Sequence, residues 1–493
     1  MQFLGPRRAI VVLSVPLLGA ALVPACTEDP IVPDPPPSGA VAVQASPQKP
    51  GDPTKGYHDL LNAPYVSCGV PASLVVGSVG AALPVLGFPP DVVTVPDRDP
   101  KNQSLPYFLT QVTAKNGVEL VSTNCLSCHA STFDADPNVP AGERGPLVIG
   151  LGNANLDTTT DVGEVADLID GLVKDPAERE AFAEWRDRIK LIAPAVSVDT
   201  VGLGAIDNLA VELFGRRDPA TLEWKGEYQV PIPADVVPVP VAVPPWWRMK
   251  KKFAMFTTGS FQGEHARFMY AASSLCIDDV ADALEIDAYF NDVRAYIESL
   301  APPKYPGPID AEKAELGKAI FDKRCAGCHG TYGEGATYPN LIIPVSDVGT
   351  DPALNHLANE MIVAIGPWLA KTYYAETNTL AETPGYVAPP LDGVWITAPY
   401  LHNDSVPTME LLLDSKKRPT YFTRSYNAID YDLAQLGYPY TVNDTGKIPG
   451  DATVPNRQKY DTTRPGYGNQ GHTYGDSLTD EERAQVIEYL KTI

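Results

Sequence analysis

Two five-residue runs, Cys125-Leu126-Ser127-Cys128-His129 and Cys325-Ala326-Gly327-Cys328-His329, each set a pair of thiols three positions apart and place an imidazole directly after the second. That arrangement suits covalent haem. The thiols add across the two vinyl groups of the macrocycle, and the adjacent histidine is then held beneath the iron as its proximal ligand. A CxxC pair also serves redox or zinc chemistry, but structural zinc wants four ligands and each run supplies a single cysteine pair. With histidine following in both copies, two covalently attached haem c groups are expected, one on Cys125, Cys128 and His129, the other on Cys325, Cys328 and His329.

What such haems do depends on the sixth ligand. An iron with two strong axial ligands passes electrons, whereas an open distal side binds peroxide or O₂. The remaining histidines are His58, His265, His356, His402 and His472, and the methionines beyond the first residue are Met249, Met255, Met269, Met361 and Met409. Spacing alone assigns none of them.

The elements that must position these groups read as helices. Apolar spacing predicts helices near Glu164–Leu172, Pro176–Ile192 and Ile277–Leu300, the last with a stripe of Val280, Leu284, Tyr289, Val293, Tyr296 and Ile297. A helix near Asp310–Lys323, carrying Leu316, Ile320 and Phe321, leads straight into the second motif. A last helix opens on a Thr479/Glu482 capping box and offers Val486, Ile487 and Leu490 as its apolar face. A helix before CxxCH and another closing the chain is the order of a cytochrome c domain. Strand alternation is scarce. The expected fold is mostly α, with two cytochrome c-like haem domains and extensive irregular loops. The apolar run Cys68–Val95, interrupted by glycines and prolines, reads as irregular chain buried around a cofactor.

Length and composition fit this plan. The chain has 493 residues, 44% of them apolar and 20% charged, which is globular and room for two or three domains. Its net charge of −23 excludes nucleic acid as a partner, since phosphate binding needs lysine and arginine. Residues 1–26 read as an export signal, with Arg7 and Arg8 ahead of a short apolar stretch. Cys26, after Val23-Pro24-Ala25, resembles a bacterial lipobox cysteine; ordinary signal cleavage after Ala25 is the alternative. The expected location is periplasmic or cell-surface, with a lipid anchor in the outer membrane, or secreted. Residues 27–55 read as a Pro-rich linker, 56–301 as the N-terminal haem domain and, past Pro302-Pro303, 302–493 as the C-terminal one. Cys68 and Cys276 are left over. An oxidising compartment favours pairing them; two buried thiols are the alternative.

The stretch Gly393 to Pro407, with Thr397-Ala398-Pro399-Tyr400-Leu401-His402-Asn403-Asp404-Ser405 at its centre, resembles the TAPYxHNGS signature of the bacterial di-haem peroxidase superfamily. That superfamily includes cytochrome c peroxidases, methylamine-dehydrogenase maturation enzymes and rubber oxygenases. The likeness is closest to the rubber oxygenase group. It rests on Leu60-Leu61-Asn62, Cys68-Gly69-Val70-Pro71, Asn124 to Ala130, Leu151-Gly152-Asn153-Ala154-Asn155, Pro244-Pro245-Trp246-Trp247 and Gly471-His472-Thr473-Tyr474-Gly475, in order along nearly the whole chain after residue 56.

The resemblance implies a division of labour. The haem on His129 would be reactive, and the haem on His329 six-coordinate with His472 as its distal ligand, Met361 and Met409 being the alternatives. His402 would support a haem propionate. Trp246 and Trp247 match a tryptophan that sits between the haems and relays electrons, or are two core aromatics. The distal side of the first haem would come from Phe253–Phe268. There Phe261 fits the apolar pocket of the oxygenases. Glu264 and His265 could serve the acid–base chemistry of a peroxidase, and His265 could also close the iron; each could equally sit in a solvated loop. Calcium between the domains occurs in some relatives. Asp404 departs from the family glycine, and the chain is short beside rubber-cleaving members, so architecture and haem roles carry over and rubber does not.

The leading expectation is therefore a di-haem oxidoreductase that activates H₂O₂ at the first haem, with the second relaying electrons from an unknown donor or organic substrate. An O₂-using oxygenase is the alternative within that class. A pure electron-transfer cytochrome is the alternative outside it, and a tethered sensor or scaffold is a weaker third.

Overall fold

The computed structural model describes residues 31–76, 93–140, 143–159, 161–233 and 236–493. The segment 1–26 expected to be an export signal, with Cys26, and most of the apolar run Cys68–Val95 lie outside them. Helices make up 38% of the structure and strands 12%. Helix dominates, but "mostly α" overstates it: among the described residues, short strands of two to five residues pair into five small sheets. These strands are too brief to show alternation, and most pair with distant partners, such as Asn378–Leu380 with Phe261–Gly263.

Two helix pairs organise the molecule, and each crosses at a glycine. Helix Pro53–Asn62 is capped by Asp52, whose side chain accepts from the Thr54 and Lys55 amides. It packs on helix Val280–Ser299 so closely that a Cβ at Gly56 would lie 1.8 Å from the Asp292 carbonyl oxygen. Helix Ala311–Arg324, capped by Asp310, meets helix Asp480–Leu490 the same way, with Gly317 against the Gln485 carbonyl. Thr479 and Glu482 form the full capping box. Only glycine permits such backbone contact.

The buried faces differ in detail from the apolar stripes. On Val280–Ser299 the inward residues are Ala283, Ile286, Asp287, Phe290, Val293, Arg294 and Ile297, while Leu284 is 49% exposed. Asp287 and Arg294 join the core because ion partners meet them there: Lys49 and Arg267 for Asp287, Glu298 for Arg294. On Ala311–Arg324 the inward residues are Ala314, Gly317 and Phe321, and Leu316 points out.

The two large cores interleave along the chain. The first joins Leu60, Phe290 and Val293 to Leu354, Met361 and Trp368 from helix Ala353–Leu369. The second joins Phe321, Trp395 and Val486 to Phe133, Leu151 and Trp247. Adjacent residues Trp246 and Trp247 enter different cores.

The described part of the expected linker is not a free tether. Val41–Ala42 pairs antiparallel with Leu341–Ile342, the Asp34 amide donates to the Lys323 carbonyl, and Gln48 donates to the Gly263 carbonyl. An open strand edge and unfilled carbonyls give this segment the partners its backbone needs. Among the described residues no helix is long and apolar enough to cross a membrane.

Candidate functional site

Both CxxCH runs form a single helical turn ending on the histidine. Asn124 sets the first turn: its Oδ1 accepts from the Leu126 amide and its Nδ2 donates to the Tyr107 carbonyl and the Thr110 hydroxyl. The Cys125 amide donates to the Tyr65 hydroxyl at 3.2 Å. Cys125, Cys128, Cys325 and Cys328 stay as thiols, while Cys68 and Cys276 are joined in a disulfide. Burial pushes the Cys125 thiol up to about 11 and the Cys325 thiol up to about 12. Each turn thus presents two unpaired thiols beside a histidine, the donor set that covalent haem requires.

His329 Nδ1 lies 2.8 Å from the Pro389 carbonyl, which fixes the ring and leaves Nε2 to face a ligand. Across from it stands His472, the ring centroids 6.2 Å apart. Two imidazoles bound to one metal at about 2 Å on either side have centroids about 6 Å apart, so the pair fits a shared iron. His472 is half-buried and its buried Nδ1 has no partner among the described residues; burial, then the charges of His329 and Arg418, lower its pKa to about 3. Its backbone is pinned. Gly471 passes so near Gly349 that a Cβ would sit 2.2 Å from the Gly349 carbonyl carbon, the His472 amide donates to the Val348 carbonyl, and His472 itself is left-handed at φ 45°. Met361 and Met409 lie elsewhere: the first lines a cavity in the first core, the second is packed in the second core.

His402 stacks on Tyr386 at 4.2 Å and keeps an unpartnered, buried Nε2 among the described residues, a free polar atom of the kind a propionate could meet. Asp404, two residues on, has φ 57°, a left-handed backbone that glycine adopts without strain, in keeping with the glycine of the signature it resembles. Burial pushes its carboxyl up to about 8. Among the described residues no three His, Cys, Asp or Glu side chains gather to hold a metal ion, so calcium stays an expectation of the resemblance.

The turn Trp246–Lys251 links the two histidine sites. Trp246 stacks on His129, ring centroids 4.6 Å apart and 20° from parallel. Trp247, fully buried, donates from Nε1 to the Asp392 carbonyl at 2.8 Å, and Arg248 donates to the same oxygen at 3.1 Å. The Arg248 charge is felt at His329.

In the distal segment the three expected residues part company. Phe261 lines an apolar cavity of about 50 Å³ with Val211, Phe214, Phe256, Met361 and Ile365. Glu264, 2% exposed, turns away into an ion cluster, with Lys49 at 3.2 Å on Oε1 and Arg267 at 3.7 Å on Oε2. His265 is buried, not in a solvated loop. Neither ring nitrogen has a partner among the described residues, and burial lowers its pKa to about 4, so the ring is neutral at pH 7. The carboxyl that does line the cavity is Asp207, in the first turn of helix Ile206–Gly215. It is half-buried, and desolvation pushes it up to about 7. Asp207 carries no motif; as one acidic residue among 61 it had no signal in the sequence.

Residues 314–381 match the family described as cytochrome c, and residues 385–423 match the family described as RoxA-like, cytochrome c-like. Two curated relatives, the uncharacterized proteins y4iM and y4iJ of Sinorhizobium fredii (strain NBRC 101917 / NGR234), are each 32% identical to this chain. The first aligns over 257 residues, 43% of this chain and 56% of its own length; the second over 260 residues, 39% and 41%. The chain therefore spans about half the length of the curated relatives it matches. The two family matches fall together on residues 314–423, so this part of the chain is similar to cytochrome c domains, one of them RoxA-like, and it contains the Cys325, Cys328 and His329 turn suited to covalent haem.

Proposed function

We propose that the protein is an exported di-haem oxidoreductase that reduces H₂O₂ at a haem on Cys125, Cys128 and His129, with a second haem between His329 and His472 relaying electrons. The observation that carries this reading is the asymmetry of the two histidines. His329 is opposed by His472 at 6.2 Å, whereas the ring contact of His129 among the described residues is with Trp246. Haem, when bound, supplies the redox-active iron. The chain's own residues supply the rest. Pro389 orients His329, Trp246 and Arg248 join the surroundings of both sites, and Asp207 offers a proton to the cavity beside Phe261. Export and a lipid anchor at Cys26 belong to the same proposal, and the Cys68–Cys276 disulfide supports an oxidising compartment. A dioxygenase of the rubber oxygenase type is the second reading, favoured by the apolar lining around Phe261. If His265 bound the first iron, the protein would be an electron carrier.

The test is the EPR spectrum of the oxidised, haem-loaded protein. One high-spin and one low-spin haem are expected, with the high-spin signal lost in His129→Ala. Two low-spin haems that stay so after partial reduction would sink the enzymatic reading and leave the electron carrier.

A further inference from the structure

A file of aromatic rings leaves the first haem motif and runs to the protein surface. It begins at Tyr65, whose hydroxyl takes the Cys125 amide hydrogen. The Tyr65 ring meets Phe290 at 5.5 Å, and Phe290 meets Tyr270 at 5.4 Å, both edge-on. Tyr270 lies 6.2 Å from Tyr374, and its hydroxyl touches that of Tyr373. Tyr373 and Tyr374 are in ring contact at 4.3 Å. Tyr65, Tyr270 and Tyr374 are buried, and Tyr373 is half-exposed. The guanidinium of Arg267 covers the Tyr373 ring.

The Tyr65 hydroxyl bridges the Cys125 amide and the Leu60 carbonyl, but packing alone does not call for the hydroxyls of Tyr270 and Tyr373. Phenylalanine would fill the same core without the cost of desolvating a polar group. Here two tyrosine hydroxyls meet each other, and Asp287, whose charge bears on Tyr270, Tyr373 and Tyr374, keeps Oδ1 without a hydrogen-bond partner among the described residues.

We propose that Tyr65, Tyr270, Tyr374 and Tyr373 form a relay that carries one-electron oxidising equivalents from the first haem motif to Tyr373, where a small electron-rich phenol is oxidised. This rests on the peroxide reading of the first site. Phe290 is not itself oxidised; its ring keeps the step from Tyr65 to Tyr270 within packed protein. Tyr270, Tyr374 and Tyr373 each give up one electron and a phenolic proton, which the unpartnered Oδ1 of Asp287 takes up, and regain both when the next donor is oxidised; Tyr65 passes only the electron, its proton staying in the bond to the Leu60 carbonyl. Overall one H₂O₂ accepts two electrons and two protons and becomes two waters, and two phenol molecules each lose one hydrogen atom.

The experiment mixes the oxidised, haem-loaded protein with one equivalent of H₂O₂, freezes it at intervals and records EPR and optical spectra, with hydroquinone as the donor in a parallel run. The expected result is an organic radical that narrows when tyrosine is ring-deuterated. Hydroquinone oxidation should fall to background and any remaining radical should be confined to Tyr65 in the Tyr270→Phe/Tyr373→Phe double variant, while the haem band still responds to peroxide. An unchanged radical and an unchanged donor rate in that variant would overturn the relay alone. A parent protein whose haem band ignores peroxide would overturn the peroxide reading and the relay with it. Retained circular dichroism and a retained haem band show that the variant is folded.

Discussion

Arg418 grips the backbone that presents His472. Its guanidinium donates to the carbonyls of Asn469 at 2.6 Å, Gly471 at 2.7 Å and His472 at 3.3 Å, while also holding Leu411 and Leu412. One planar fork thus ties the loop to the segment 411–412. Lysine, with a single ammonium, cannot make this set of bonds. Arg418→Ala and Arg418→Lys are both expected to loosen His472, at a cost of about 1 kcal/mol for each bond lost. The low-spin signal of the second haem should weaken toward the spectrum of His472→Ala. Spectra identical to the parent in both variants would show that Arg418 does not position the ligand.

Asp207 predicts a pH-dependent stability. Its carboxyl is raised from 3.8 to about 7 in the folded protein, so the folded state holds the proton more tightly than the unfolded one. That contribution is fully present below about pH 4 and is lost as pH rises through 7. Tyr386 is the titrating neighbour that feels the Asp207 charge, and Ser260 is the other polar side chain lining the cavity. Asp207→Asn should match the parent in Tm near pH 4 and exceed it by several degrees above pH 7. A difference in Tm that does not change with pH would rule this out.

Glu264 is expected to act on stability and not on the haems. Its removal leaves Lys49 and Arg267 with Asp287 as their remaining buried counter-charge. Glu264→Gln should cost on the order of 2 kcal/mol in denaturant unfolding and leave the haem spectra and the response to peroxide unchanged. A changed spin state would return Glu264 to the distal pocket.

The disulfide joins residues 208 apart in sequence. Cys68→Ala/Cys276→Ala should lower unfolding free energy by about 2–4 kcal/mol through the freedom it restores to the unfolded chain. Equal denaturant midpoints for parent and variant would contradict that.

The residues with local chemistry were the legible ones. The CxxCH turns, the Thr479/Glu482 box and the helix ahead of Cys325 are set by neighbours within one or two turns, and the structure places them as the spacing implies. Helix Val280–Ser299 was found, but its phase was not. The apolar stripe included exposed Leu284 and passed over Asp287 and Arg294, whose place in the core depends on charges elsewhere in the chain. Asp207 and the paired segment Val41–Ala42 were missed for the same reason. Their surroundings, Phe261 and Met361 in one case and Leu341–Ile342 in the other, come from distant parts of the sequence.

The two helix crossings also impose an order of events on a chain that is made from its N-terminus. The Asp52 amide reaches Asp292, 240 residues on, and the Asp310 amide reaches Glu488, 178 residues on. Each CxxCH run lies inside the span that its crossing closes. Cys125 and Cys128 therefore emerge, and can be loaded, well before helix Val280–Ser299 exists to shut the first unit. At the second unit, helix Ala311–Arg324 precedes the thiols and waits for helix Asp480–Leu490. A chain stopped between Val387 and Thr479 would still present all four thiols, with the first core complete and the other unit held open at the glycine where its partner should cross.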